Sequence, residues 1–320
     1  MLSHILLSLL ACRSYVDIDC IDSASCSDEA LETNGAALFS PQEGRAADAP
    51  DGSPGQRRLL IAGSHDGLHF DRHDEVLLNQ ANAPSMIRHQ DTLFVYTTAY
   101  LVDGKSDGTV VSVLEDGAEA WSHYVVVFED LPENLSPRVE ACAVVLPDGR
   151  IRLYFGAQEA GVWTIRSAVS DGGLVFRYEG EVVVPNGGVG HNGGYVDPLI
   201  AWVGEEWHLF LQDTSTNQTV HGRSPDGLYF ELETLDALSS EVHLVLANWL
   251  EVEDGHRIFA SAPNTIESFW TEDGEVLWRE EGSRLEPESG VLEVGPVSDP
   301  AVIHDGEQGY LMFYVSEIPE

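Results

Sequence analysis

The sequence predicts an all-β fold: a five-bladed β-propeller built from four-stranded antiparallel blades. Three observations predict it. A turn motif recurs five times at intervals of about fifty residues, and a second hairpin motif recurs five times between its copies. No stretch of ten residues carries a helical period, whereas short runs of Val, Ile, Leu, Phe and Tyr alternate with Gly and Asp turns. A repeat of this period marks an architecture in which each unit buries its apolar face against its neighbours.

The first motif is clearest at Ser64-His65-Asp66-Gly67-Leu68-His69-Phe70 and is matched by Ser224-Pro225-Asp226-Gly227-Leu228-Tyr229-Phe230. Ser170-Asp171-Gly172-Gly173-Leu174-Val175-Phe176 carries Gly where the others have Asp, and variants with Trp end at Trp121 and Trp278. The glycines 67, 117, 173, 227 and 274 are separated by 50, 56, 54 and 47 residues. Gly accepts positive φ and Asp bonds the turn backbone, so Asp-Gly suits a tight hairpin. The aromatic that follows is expected to start the next strand and pack under the turn.

The second motif centres on Asp91, Asp148-Gly149, Gly204, Asp254-Gly255 and Asp305-Gly306, with steps of 57, 56, 50 and 51 residues. Its fullest copy runs from Tyr195 to Gln212: Asp197-Pro198, a short strand, a Gly turn and a second apolar strand. Asp299-Pro300 opens a similar copy that ends at Tyr314. Two hairpins per unit make four strands, and five units make five blades. The domain begins with an outer hairpin (Leu59–Leu78) and ends with an inner one (Val297–Ser316). Together these half-blades are expected to close the ring, C-terminal inner strands against N-terminal outer strands.

Composition excludes some functions. The 320 residues include 16 basic and 54 acidic side chains, a formal net charge of −38. Such a surface repels phosphates, so nucleic-acid binding is excluded. Hydrophobic content of 43% is ample for a core. The four cysteines, Cys12, Cys20, Cys26 and Cys142, lack zinc-site spacing.

Residues 1–12 read as a lipoprotein-type signal peptide. The apolar run Ile5–Ala11 is too short to span a bilayer. Leu9-Leu10-Ala11-Cys12 resembles a bacterial lipoprotein cleavage box, which implies lipidation of Cys12, an extracytoplasmic protein anchored in the cell envelope, and conditions in which Cys20 and Cys26 can pair. Residues 13–56 are rich in Asp, Glu, Ser, Ala, Gly and Pro and read as a disordered acidic linker. The propeller is assigned to 57–320, as a monomer whose contact with membrane is the lipid anchor alone.

The five repeats, the Asp-Pro pairs and the Ser-x-Asp-Gly-x-x-Phe turns resemble the five-bladed propeller glycoside hydrolases of families 43 and 32, over residues 59–318. The resemblance implies a central funnel where two carboxyl groups flank a glycan, as inverting hydrolysis requires. It implies a base on blade one, a pKa-tuning Asp on a middle blade and a Glu acid on the next.

Blade one departs from that pattern, with Ala83 before Pro84 where the family has Asp. Blade two offers Glu140 in Arg138-Val139-Glu140-Ala141-Cys142, or else Cys142 points inward. Asp197 on blade three resembles the pKa-tuning Asp, and Asp299 on blade five fits the same position. On blade four, counting back from Asp254-Gly255 reaches Asn248, while Glu241 is an acid candidate if its loop folds back. The candidate set is therefore Asp197, Glu140 and Glu241 for catalysis, with Asp299, His191, Asn248, Trp249 and Arg138 for substrate. His191 lies in the Gly-rich run 187–194, where backbone can approach a ligand closely.

Each Asp-Pro also has a purely structural explanation, because Asp bonds nearby backbone and Pro suits a strand start. Two functions stand. One is a glycoside hydrolase acting on an oligo- or polysaccharide without a required cofactor. The other is a non-catalytic propeller, with its blade-one Asp lost, that binds glycan, calcium or a protein. An acidic funnel suits calcium. A propeller binding through its rim is a third reading.

Overall fold

The computed structural model describes residues 35–101, 106–136, 138–183, 194–234 and 244–320. The proposed signal peptide with Cys12, the cysteines Cys20 and Cys26, His191 and Glu241 lie outside the described residues.

Five sheets form the propeller. Blade one comprises β3 (Ala81–His89), β4 (Thr92–Leu101), β5 (Ser106–Leu114) and β6 (Ser122–Val125). Blade two comprises β8 (Arg138–Val145), β9 (Ile151–Glu159), β10 (Val162–Ser170) and β11 (Val175–Val183). Blade three comprises β12 (Tyr195–Val203), β13 (Glu206–Asp213), β14 (Gln218–Ser224) and β15 (Glu231–Thr234). Blade four comprises β16 (Val245–Val252), β17 (Gly255–Ser261), β18 (Ile266–Thr271) and β19 (Trp278–Arg279).

Blade five closes the ring as the half-blades require. Strands β20 (Val294–His304) and β21 (Tyr310–Glu317) join β1 (Arg57–Ser64) and β2 (Asp71–Asn79) in the order β2-β1-β21-β20. The seam is an unbroken antiparallel register from Arg57↔Glu317 to Ser64↔Tyr310. Blade two carries an addition that the repeat does not encode: β7 (Val127–Glu129) runs parallel to β11 at its outer edge. Phe128 fixes it there, packing 4.8 Å from Phe155 and 6.2 Å from Phe176.

The turn motif works through its hydroxyl as much as through its Asp-Gly. Gly67, Gly173 and Gly227 each donate their N–H to the Ser three residues earlier, at 2.9, 2.8 and 3.0 Å. Gly274 does the same to Thr271 at 2.9 Å, which makes Thr271-Glu272-Asp273-Gly274 a full copy. The following aromatic is buried at Phe70, Phe176 and Phe230. Trp278 departs from that expectation. It is exposed and pairs with Trp270 at 5.2 Å, while Leu277 takes the core position.

The linker expected over 13–56 gives way to packed chain from residue 35. Ala37 and Phe39 hydrogen-bond along β6, with Phe39 N donating to His123 O at 2.8 Å and Val125 N to Ala37 O at 2.9 Å. Gln56 donates to the Ala46 and Ala49 carbonyls, Gln80 donates to the Gly44 carbonyl, and Arg45 donates to the Ile318 carbonyl. A low-complexity composition still orders when neighbouring strands supply the hydrogen bonds and Ala46 is small enough to bury.

The core lies between blades. Leu59, Phe313 and Val315 of blade five pack with Leu93, Val95 and Val110 of blade one, and Ile165 and Tyr154 of blade two pack with Leu209 and Trp207 of blade three. Each blade therefore depends on its neighbours, and the innermost strands are held facing one axis.

Candidate active site in the central funnel

The innermost strands share one irregularity, and it builds the site. The pairing of β3, β8, β12 and β20 slips between Asn82 and Ser85, Val139 and Cys142, Val196 and Leu199, and Ser298 and Ala301. Each slip is a β-bulge, with two residues facing one on the partner strand. The first bulge residue is left-handed in every case: Ala83 at φ 47°, Glu140 at 54°, Asp197 at 54° and Asp299 at 49°. Non-glycine residues pay about 1 kcal/mol or more to sit there, so surrounding contacts must hold them. Proline fills the second bulge position at Pro84, Pro198 and Pro300, where no ladder N–H is lost.

Polar bonds from the preceding blade clamp these bulges. Glu140 N donates to Thr98 Oγ1 at 2.7 Å, and Asp299 N donates to Ser261 Oγ at 2.7 Å. Asp197 N donates to the Glu140 carboxylate, Oε2, at 3.3 Å. Ser85 Oγ of blade one accepts from Ala143 N at 2.9 Å. The bulge that aims one carboxylate is thus held in part by another carboxylate.

The bulges converge on a pocket of about 40 Å³ lined by Ala83, Ser85, Glu140, Cys142, Asp197, Leu246 and Asp299, among others. That is room for roughly three water molecules. Three walls carry carboxyl groups and two, at Ala83 and Leu246, are apolar. All three carboxyls are half-buried among packed blades.

Their proton affinities follow from this enclosure. Glu140 is pushed up to about 7, first by burial and then by the charges of Asp299 and Asp107, against the opposing bond from Asp197 N. Asp197 is raised well above the usual carboxylate range by burial and by the charges of Glu140 and Asp299. Asp299 is also raised by burial, but Arg57, the Ala83 amide and the Ser261 and Ser298 hydroxyls oppose the rise. The charge of each carboxyl raises its neighbour's proton affinity, so the two titrate as a pair. One group can then give a proton while the other accepts one.

The candidates sort clearly. Glu140, Asp197 and Asp299 come together at the pocket, and Cys142 lines it as well as Glu140. Asn248 does not line the pocket. It pairs with Phe259, one step beyond the blade-four slip, and donates to the Val302 carbonyl at 3.0 Å, tying blade four to blade five. Counting back from the turn missed that slip, which places Leu246 on the wall. Trp249 is also structural: its ring stacks on Phe210 at 5.9 Å, and its indole N–H donates to His256 Nδ1 at 3.2 Å. Arg138 begins β8 outside the pocket and donates to the Leu135 carbonyl at 3.4 Å.

Five residues escaped the sequence reading: Ser85, Thr98 and Ser261, which hold the bulges, and Asp107 and Arg57, whose charges act on Glu140 and Asp299. Thr98, Ser261, Asp107 and Arg57 lie on second or third strands, Ser85 sits just past the Ala83-Pro84 bulge on an innermost strand, and no local motif marks them.

No family model matches this chain, and no curated protein matches it by sequence. Solved structures do. The chain is similar to a thermostable family-43 glycoside hydrolase, with a TM-score of 0.58 and 11% identity over 74% of this chain and 88% of that one. The fold is that of the five-bladed propeller glycoside hydrolases. A family-117 glycoside hydrolase produced by the marine bacterium Zobellia galactanivorans is similar at TM-score 0.53, with 14% identity over 81% of this chain and 91% of that one. A third similar structure comes from the family-130 mannoside phosphorylases, a family containing glycoside hydrolases that target β-1,2-mannosidic linkages in Candida mannan. Its TM-score is 0.56, with 10% identity over 75% of this chain and 86% of that one. Identities this low carry the architecture and leave the chemistry to the side chains.

Proposed function

We propose that this chain is an extracytoplasmic glycoside hydrolase, tethered through Cys12, that cleaves a glycan with the carboxyl groups of Glu140 and Asp197. The observation that supports this reading is the hydrogen bond from the Asp197 amide to the Glu140 carboxylate, on adjacent bulges over the axial pocket that both residues line. Asp197, raised by burial and by the charges of Glu140 and Asp299, holds the proton in this reading and gives it to the leaving oxygen. Glu140, ionised as its partner holds that proton, draws a proton from the attacking water. Asp299, on which the Arg57 charge acts, faces the positive charge that develops on the sugar ring. The reaction needs no cofactor.

The test is reducing-sugar release from a panel of arabinans, xylans, fructans, mannans and aryl glycosides. Wild type is compared with Asp197→Asn and Glu140→Gln. Release by the wild type that falls at least 100-fold in both variants supports the reading, since a positioned acid or base contributes about 10²–10⁴-fold. Release that survives both substitutions removes the pair from the mechanism.

Ala83 and the narrow pocket favour a second reading, in which the funnel binds without cleaving. The ligand is then a glycan, a protein segment or calcium held by the carboxylate oxygens of Glu140, Asp197 and Asp299. A folded wild type that releases nothing, yet binds one of these with loss in Asp299→Asn, supports that reading instead.

A further inference from the structure

A second chemically equipped site lies away from the axis, between blades three and four. His208 on β13 and His221 on β14 are 3% and 1% exposed, and their rings face each other with His221 Nε2 at 3.0 Å from His208 Nδ1. Glu275, in the blade-four turn, offers a carboxylate oxygen to the same point. One ligand atom from each of the three lies within 4.8 Å of the others.

The neighbouring blades show what this position does elsewhere. A methyl group added at Gly227 would meet Arg152 Nη1 at 3.1 Å, and one at Gly67 would meet Arg257 Nη1 at 2.9 Å. Both arginines bond carbonyls of the next blade's turn and pair with a glutamate of their own blade, Arg152 with Glu179 and Arg257 with Glu280. On blade three the equivalent contact, beneath Gly274, is His208 Nδ1 at 2.9 Å. At the position that Arg152 and Arg257 take on their second strands, blade three has His208, and an imidazole pair stands there.

We propose that His208, His221 and Glu275 bind a divalent transition metal ion of the zinc class at the seam between blades three and four. Two imidazole nitrogens and one carboxylate oxygen suit zinc and its neighbours, and an all-oxygen site would suit calcium or magnesium instead. Ligands at about 2.05 Å in tetrahedral geometry lie about 3.3 Å apart, so the His208 and His221 nitrogens need move only a few tenths of an ångström. Both rings are buried, and a metal takes the neutral imidazole as ligand. At present the pair shares one proton. On binding, that proton moves to the far nitrogen of its ring, and both facing lone pairs turn to the metal.

An approach route and a fourth ligand position are in place. An open pocket of about 490 Å³, lined by Glu205, Glu206, Asp273 and Glu275, lies beside His208. Glu275 is 40% exposed there, and Arg223 sits 3.4 Å from it. The acidic lining raises the local concentration of cations, and a water from this pocket completes a tetrahedral set. The bound ion then does what the arginines do in blades two and four, tying one blade's second strand to the next blade's turn.

The full chain is titrated with ZnCl₂ by calorimetry and with CoCl₂ by visible spectroscopy, alongside Glu275→Gln and the double variant His208→Asn/His221→Asn. The N-terminal cysteines are common to all three proteins, so differences between them isolate this site. The expected result is one saturable zinc site in the wild type, with four-coordinate cobalt bands and a rise in Tm on zinc addition. Glu275→Gln should weaken it at least tenfold, and the double variant should lose it. If the double variant does not fold, Glu275→Gln decides, because its exposed side chain tolerates the change. A folded wild type with no saturable zinc binding, or equal binding in wild type and Glu275→Gln, overturns the proposal. The site is independent of the funnel, so neither result bears on hydrolysis.

Discussion

The Asp197 amide donates to the Glu140 carboxylate at 3.3 Å, so the residue that competes with Glu140 for a proton also holds it in place. Both residues are left-handed first positions of bulges on adjacent blades. Removing one carboxyl therefore changes the charge and the geometry of the other.

Stability should fall as pH rises through neutrality. Glu140 has its folded-state pKa raised from 4.5 to about 7, so the folded chain holds that proton more tightly than the unfolded one. Its contribution is fully present below about pH 4.5 and is lost as pH rises through about 7. The size is on the order of 2–3 kcal/mol, since each pKa unit is about 1.4 kcal/mol and the group is partly solvated. Glu140→Gln removes the effect. Denaturant titrations from pH 5 to pH 8 should show a flatter slope for that variant, and parallel slopes would contradict the assignment.

Hydrolysis, if measured, should follow the same pair. A proton shared between Glu140 and Asp197 gives a bell-shaped pH–rate profile. Asp107→Asn removes one of the charges that raise Glu140, so the acidic limb should move to lower pH while the protein stays folded. A profile unchanged in Asp107→Asn would remove that charge from the account.

The blade seams can be weighed at Arg257. Its guanidinium pairs with Glu280 at 2.7 Å and reaches the Gly67 carbonyl of the next blade at 3.4 Å. Arg257→Ala leaves Glu280 half-buried without its partner, which costs about 3 kcal/mol or more for an ion pair of this burial. Chemical denaturation should show that loss, whereas Arg150→Ala, which breaks a solvent-screened surface pair with Asp148, should leave stability nearly unchanged. Equal losses would mean that the seam is held by apolar packing alone.

Two turn glycines should separate strain from packing. Gly117 has φ 72° and nothing within 4 Å of an added methyl, so Gly117→Ala costs backbone strain alone, about 1 kcal/mol. Gly173 has φ 80° and a methyl there would meet Tyr96 Oη at 2.8 Å and Phe94 Cε1 at 2.9 Å. Gly173→Ala should cost about 2 kcal/mol more. A thermal melt in which both variants behave alike would argue that blade one yields to the turn.

Ring closure predicts an all-or-none response to truncation. Removing 294–320 strips β1 of the eight-pair register with β21 and uncovers Leu59 and Ile61. No cooperative unfolding transition should survive. A truncated chain that melts sharply would show that the remaining blades fold without closure.

The funnel was legible wherever chemistry and register coincided. Asp197-Pro198 and Asp299-Pro300 announce a strand start in the sequence, and the same Pro marks the bulge. Glu140 could be placed because it lies shortly before the Asp148-Gly149 turn. Asn248 was misplaced by the same counting, because the slip on β16 falls between Leu246 and Asn248 and leaves no Pro to mark it. Trp249 looks like a sugar platform by type, but Phe210 of the neighbouring blade covers its face.

By itself the sequence determined the number of blades, the two hairpins in each and the strands that close the ring. These follow from local chemistry, because Asp-Gly turns and short apolar strands repeat along the chain whatever lies beside them. Tertiary structure alone decided which carboxyls meet, which hydroxyls clamp them and where two histidines face a glutamate. Those relations join residues from different strands or blades, and their distances are set by bulge register and blade packing, which no local pattern encodes.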